Sequence, residues 1–310
     1  MTAPPSPAGA PPVRVALASI AWLPPEFSQL AMLEAALVER GAAVAIAAWD
    51  DATVDWEAFD LVVIRTTWDY TWRYDEFLAW ADAVGDRLHN PPALVRWNAD
   101  KRYMADLDAA GIPVVATTFV EPGDAPPHLE GEVVVKPAVS AGGRDTGRFG
   151  PGAHDAAHRL LRMLADRGRT AMVQPYQSDV DRTGETGIVV IDGRPSHALR
   201  KRAVLRADEV APTRDDPLGA AEAMYDPELV TPAEASADEL ALAAKVVADL
   251  ERRFGDVPLY ARVDLVRQPG GIPVVLELEA VEPSLYHDQA PGSAGVFADA
   301  IVRRARGTAA

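Results

Sequence analysis

The sequence predicts an α/β fold that turns into an α+β arrangement after its first third. Residues 13–19, 42–48 and 61–65 are near-continuous apolar runs with a helical stretch between the first two, the pattern of parallel strands covered on both faces. Later strands come in turn-linked pairs, 184–191 returning after Asp192-Gly193 and 259–266 returning as 272–279 after a Pro-Gly-Gly connector, which is antiparallel pairing. The 310 residues are 48% hydrophobic, enough to build the cores of one large or two to three modest domains.

Composition narrows the function. A net charge of −16 argues against a nucleic-acid partner, whose phosphates need surplus Lys and Arg, so any anionic ligand must be met by local positive charge. The absence of cysteine excludes disulfides, thiolate zinc sites and a Cys nucleophile. No apolar run approaches the roughly 18 residues of a membrane span. Residues 1–12, rich in Pro and Ala without a basic segment, are expected to be a disordered tail and not a signal peptide, which makes the cytoplasm the expected location.

In chain order, a helix from about residue 26 to 40, closed by Gly41, links the first two strands. The third strand ends in Arg65-Thr66-Thr67-Trp68-Asp69-Tyr70, at the carboxyl edge where parallel sheets bind ligands. Arg65, Trp68, Asp69 and Tyr70 are therefore candidate substrate contacts, with a structural turn as the other reading. Phe77 and Trp80, at helical spacing within 75–84, read as core. Asn98 is expected to cap a helix running to Ala110, with Gly111 and Pro113 beyond it. Lys101 then opposes the dipole of the first turn and is either a ligand contact or a solvated lysine.

Residues 114–118 and 132–137 read as short strands, the second ending in Lys136 and running into Ser140-Ala141-Gly142-Gly143. Closely approaching backbone N–H groups plus one point charge are what phosphate recognition needs, although the Walker A order is absent. The other reading is a mobile loop with a snorkelling lysine. An amphipathic helix at 154–167 leads to a strand at 170–176 that breaks at Pro175. On the strand returning from Asp192-Gly193, alternation sets His197, Leu199 and Lys201 on one face and Arg200 and Arg202 on the other, a cluster that suits an anion. Residues 207–234 read as a long loop. Ser236 and Glu239 form a capping box for a helix to Phe254, and a last helix covers 294–306.

The C-terminal hairpin holds the densest charge. Arg262 and Asp264 share a face of one strand, and Glu277 and Glu279 a face of the other. Pairing Arg267 with Ile272 sets Arg262 opposite Glu277, with Asp264 diagonal to it and three carboxylates on one surface. Such charges repel unless a cation is shared. Oxygen-only ligands point to Mg²⁺ or Mn²⁺ completed by substrate phosphates. A solvated acidic face is the other reading, and a slip of one residue would separate the acidic sets.

Lys101, Lys136 with its Gly-rich loop, Gln174-Pro175-Tyr176, Glu185, Arg262, Asp264 and the Glu277/Glu279 pair stand in an order that resembles the ATP-grasp superfamily of carboxylate–amine ligases. The resemblance spans nearly the whole chain. It implies an ATP-grasp fold: an N-terminal parallel αβ domain (13–96), a central subdomain with a Gly-rich lid (97–172) and a C-terminal subdomain with the metal site (173–310), the latter two enclosing ATP. By the same resemblance Lys101 and Lys136 contact the ATP phosphates, and Ser140, Gly142 and Gly143 belong to the lid. Gln174, Pro175 and Tyr176 form the adenine hinge, and Glu185 meets the ribose. Asp264, Glu277 and Glu279 hold two Mg²⁺ ions, with Mn²⁺ as an alternative. Arg262 and Lys136 are the implied catalytic residues, facing the transferred phosphoryl group. The substrate carboxylate is expected near Arg262 and Lys201 or Arg200, with Arg65, Trp68, Asp69 and Tyr70 closing the far side. Many members carry Asn where this chain has Glu279, which leaves that amide's contact unaccounted for.

The implied reaction phosphorylates a small amino-acid-like or peptide carboxylate to an acyl phosphate, which an amine attacks. The 65–70 segment and the 276–283 ending are similar to the bacterial O-ureidoserine cyclo-ligase subgroup of D-cycloserine biosynthesis, in which the amine belongs to the same molecule. A non-catalytic ATP-binding regulatory or scaffold protein is the rival expectation, and a homodimer is common among similar enzymes.

Overall fold

Three sheets order the chain in a computed structural model that describes residues 11–22, 28–210, 223 and 226–308. The expected 1–12 tail, the start of the first helix and the middle of the 207–234 loop lie largely outside these residues. The first sheet is parallel, β2-β1-β3, from β1 (Arg14–Ser19), β2 (Ala43–Ala48) and β3 (Leu61–Thr66), with α1 (Ser28–Glu39) crossing between β1 and β2. Every residue of β3 and all but the first of β1 are buried, as continuous apolar runs require. One face packs on α2 (Tyr74–Val84), where Phe77 is fully buried and Trp80 stacks on it.

Two short helices follow, α3 (Pro92–Asn98) and α4 (Tyr103–Ala109). The single helix expected from Asn98 to Ala110 is therefore corrected: Asn98 ends one helix instead of capping the next. Its side chain is used in tertiary structure, donating to Leu278 O at 2.9 Å and accepting from Ala280 N at 2.6 Å. The break places Lys101 in the intervening turn, where its own N–H donates to Ala138 O at 2.9 Å.

The second sheet is antiparallel, β4-β7-β5-β6, from β4 (Thr118–Val120), β5 (Val133–Pro137), β6 (Gly147–Phe149) and β7 (Ala171–Pro175), covered by α5 (His154–Asp166). The expected strand at 114–118 is instead a bridge from Val114 to Val275 in the third sheet, with β4 beginning only at Thr118. A short helix, α6 (Asp179–Thr183), leads into that third sheet.

Its order is β10-β9-β8-β11-β12, from β8 (Glu185–Ile191), β9 (Arg194–Lys201), β10 (Val230–Ala233), β11 (Tyr260–Arg267) and β12 (Pro273–Glu279). β10 corrects the long-loop expectation: Val230–Ala233 pairs antiparallel with β9 despite Pro232, which an edge strand tolerates. α7 (Ala237–Phe254) carries the expected capping box at Ser236/Glu239 and ends at Gly255 in the left-handed region, φ 83°. α8 (Ser293–Thr308) returns to the first sheet, where Phe297 and Ile301 share one core with Leu17, Leu33, Leu37 and Leu61.

Because Asn98 satisfies two buried backbone groups around β12, Asn98→Ala leaves both without a partner. A loss of about 2–4 kcal/mol is expected, read as a lower urea midpoint at unchanged slope.

Candidate active site

The hairpin register differs from the sequence expectation, with a connector one residue longer. Arg267 pairs with Pro273, a bulge falls between Asp264 and Leu265, and beyond it Asp264 lies opposite Glu277 and Arg262 opposite Glu279. All four side chains still share one face, because the bulge restores the alternation that the shifted turn would have lost. Arg262 is almost fully buried. It donates from Nε and Nη2 to the two oxygens of Asp264 at 2.7 and 2.8 Å, from Nη2 to Glu279, and from Nη1 to Ser284 O at 2.9 Å. Burial opposes its charge, but Asp264 and Glu279 hold it firmly protonated. Glu279, unexplained in the sequence, is thus a partner of Arg262. Gly187 on β8 makes room for the pair, since a Cβ there would stand 3.1 Å from Asp264 Oδ1.

Glu277 answers to different cations. Lys101 Nζ lies 3.2 Å from one of its oxygens and Lys136 Nζ 3.4 Å from the other. Burial pushes against its charge, yet Lys136, Lys101 and Lys201 together hold its carboxyl well below the usual range. Lys101 also donates to Ser140 O at 2.7 Å, so the loop after β5 is tied to the same cluster. Lys201 and Glu185, opposite each other on β9 and β8, form a second pair at 2.6 Å.

Arg262, Glu277, Glu279, Lys101, Lys136, Lys201 and Glu185 line one cavity of about 890 Å³, within the range of small-molecule sites. One end holds Gln174, Pro175 and Tyr176, with Tyr176 N bonded to Glu132 O. Arg148 lies 3.5 Å over the Tyr176 ring and is clamped by Glu132 and Asp181, a residue that sequence reading missed because its partners are 16 and 33 positions away. The roof holds Ser140, Gly142 and Gly143, the glycines both at positive φ (65° and 71°) that a side chain would strain. The roof is latched to the first sheet by Arg144, which donates to Trp68 O and Thr71 Oγ1, both at 2.9 Å.

At the other end Arg65, Trp68 and Tyr70 line the cavity with Lys201 and the missed residues Glu282 and Tyr286. Asp69 and Arg200 do not line it. Asp69 accepts from Trp49 Nε1 at 2.9 Å, and Arg200 lies on the opposite face of β9 from Lys201, over Gly184. Asp264, buried and paired with Arg262, does not line the cavity either.

Among the described residues, no three acidic or histidine side chains converge on a ready-made metal cage. The chemistry of the donor set nonetheless fits a hard cation: three carboxylates on one hairpin face, each drawn here to Arg or Lys.

Comparison with known proteins fits this architecture. Residues 15–90 match the family model of the D-cycloserine synthetase DcsG N-terminal domain. Over 299 residues the chain is 37% identical to the cycloserine biosynthesis protein DcsG of Streptomyces lavendulae, covering 91% of this chain and 95% of that one. The chain belongs to the DcsG family. The crystal structure of D-cycloserine synthetase DcsG superposes with a TM-score of 0.81 at 35% identity, covering 94% of this chain and 99% of that one. D-alanine–D-alanine ligase from Bacillus anthracis, crystallised with ATP, shares the fold at a TM-score of 0.64 and 14% identity, covering 96% and 99%. The protein is thus an ATP-grasp ligase, and the rival of a non-catalytic ATP-binding module finds no support in these relatives.

Lys201 is the counter-charge of a buried Glu185, so Lys201→Met leaves that carboxylate unpaired. The pair's stabilisation is fully present at neutral pH, because Glu185 holds the Lys201 ammonium above its usual range. Burial raises the Glu185 carboxyl even with Lys201 opposing it; removing Lys201 raises it further, and the penalty for ionising it grows as pH rises above the unfolded value. The variant should lose about 3–5 kcal/mol at pH 8 and clearly less at pH 5, measured by thermal melts, with Glu185→Gln in the same chain recovering most of the loss.

Proposed function

We propose that this protein closes a ring in a small amino acid, using ATP to activate the substrate's own carboxylate for attack by a nitrogen of the same molecule. The adenine lies against Gln174, Pro175 and Tyr176, Glu185 meets the ribose, and the phosphates run under Ser140, Gly142 and Gly143 towards Lys101 and Lys136. Asp264, Glu277 and Glu279 would hold Mg²⁺ or Mn²⁺, two ions in the fullest version, supplying charge neutralisation between phosphate oxygens.

A carboxylate oxygen attacks the γ-phosphorus and ADP leaves. The nitrogen then attacks the acyl carbon, phosphate leaves and the nitrogen loses a proton. Lys101 and Lys136 exchange Glu277 for phosphate oxygens, and Arg262 faces the group in transfer, so the residues act by positioning and charge rather than by covalent chemistry. The roof latched by Arg144 keeps water from the acyl phosphate.

The observation that carries this reading is the convergence of Lys101 and Lys136, from different segments, on Glu277 beside Arg262 in one cavity. Ring closure rather than condensation of two molecules follows the near full-length similarity to a cycloserine biosynthesis protein. A cytoplasmic location and a homodimer belong to the same proposal, the second testable by sedimentation.

ADP release measured against amino acids, dipeptides and ureidooxy or aminooxy amino acids decides the substrate, with mass spectrometry of the products. A product lighter than its single substrate supports cyclisation, and a condensed pair overturns it. Glu277→Gln should lower ADP release at least about 100-fold, and because it leaves Lys101 and Lys136 without their shared counter-charge it should also melt lower, so release is read at a temperature where circular dichroism shows the variant folded. Unchanged release in Mg²⁺ would refute the metal assignment.

A further inference from the structure

The buried and partly buried acidic side chains lining the cavity are matched to cations with one exception. Glu185 has Lys201, Glu277 has Lys101 and Lys136, and Glu279 has Arg262. Glu282 lines the same cavity, is partly buried, and receives no ion pair or hydrogen bond from another residue among the described residues. Burial and then Glu279 push its carboxyl up to about 8. Lys101, Arg65 and Arg144 act on this carboxylate only from beyond ion-pair distance, so a cation that enters the cavity beside it is stabilised.

The surroundings are built for a small donor. The Tyr70 phenol is buried at the same end of the cavity, and after burial Glu282 is the main charge keeping it neutral, so its hydroxyl stays available as donor or acceptor. The backbone beside Glu282 is fixed by Arg65, which donates from Nη2 to Pro283 O at 2.7 Å. The Arg65 guanidinium lies over the rings of Tyr260 and Phe297, which hold it in place. One carboxylate and one hydroxyl can together accept two of the three N–H donors of a compact ammonium group.

We propose that Glu282, with the Tyr70 hydroxyl, receives a free primary ammonium group of the substrate, so that the enzyme selects amino acids over their des-amino or N-acylated counterparts. Arg65 acts as a positioning residue for this contact through Pro283. The inference rests on the ligase reading, and names which functional group besides the reacting carboxylate that site reads.

The test compares O-ureidoserine with its des-amino analogue, 3-(ureidooxy)propanoic acid, in ADP release and in equilibrium binding with Mg²⁺ and a non-hydrolysable ATP analogue. Wild type should prefer the amino compound, and Glu282→Gln should reduce that preference by about 10- to 100-fold, the worth of a charge-assisted hydrogen bond. Glu282→Asp should retain part of it, and the KM for ATP should not move. Because Gln is isosteric and removes an uncompensated charge, the variant should melt no lower than wild type. Glu282→Gln discriminating as well as wild type, in turnover or in binding, overturns the inference. So does a variant whose main defect is a raised Mg²⁺ requirement, which would make Glu282 part of the metal site. Wild type that binds the amino compound selectively but releases no ADP overturns the ligase reading and supports the ammonium site.

Discussion

A buried guanidinium, Arg262, organises the charge of the whole centre. Two neighbouring strands place three carboxylates on one face, an arrangement that repels itself in a low-dielectric setting. Arg262 takes Asp264 in a two-pronged pair and reaches Glu279 as well, which leaves Glu277 to lysines from elsewhere. Those lysines come from the turn before α4 and the end of β5, so charge balance draws three separate segments to one point. Buried ion pairs add little net stability over an apolar packing of the same volume, because desolvation offsets attraction. What the network supplies is geometry: each cation is held at a defined place in the cavity wall.

The path from sequence to this centre was short where the signal was local. Alternation put Arg262, Asp264, Glu277 and Glu279 on a common face, the Gly-Gly loop followed Lys136 directly, and the capping box marked the start of α7. Register was harder. The bulge after Asp264 shifts the pairing by one residue, and such a shift is decided by neighbours in space, here β8 with Gly187 beneath the ion pair.

Where side chains serve distant backbone, local rules misled. Asn98 has the composition of a helix cap, but its amide is used by β12, about 180 residues onward, and the helix stops there. Proline argued against a strand at 230–233, yet an edge strand spares the missing N–H. Asp69 and Arg200 stood in suggestive runs, but the period-two backbone turned Arg200 away and Trp49 claimed Asp69. Arg148 carried no local pattern, and Glu282 stood in the 276–283 ending with no role read for it. The first becomes visible through its partners, the second through lacking one.

The return of α8 to α1 ties the first and third sheets into one core. Residues from β1, α1 and β3 share a core with Tyr260 of β11 and Phe297 of α8, and Arg40 bonds to Asp299 across the two helices. The second sheet keeps a core of its own, drawn from residues 120–173. Lys136 and the glycine roof therefore ride on a core separate from the one that anchors β3 and Tyr260 of β11, and the two meet only through polar contacts: both lysines on Glu277, and Arg144 on Trp68 and Thr71.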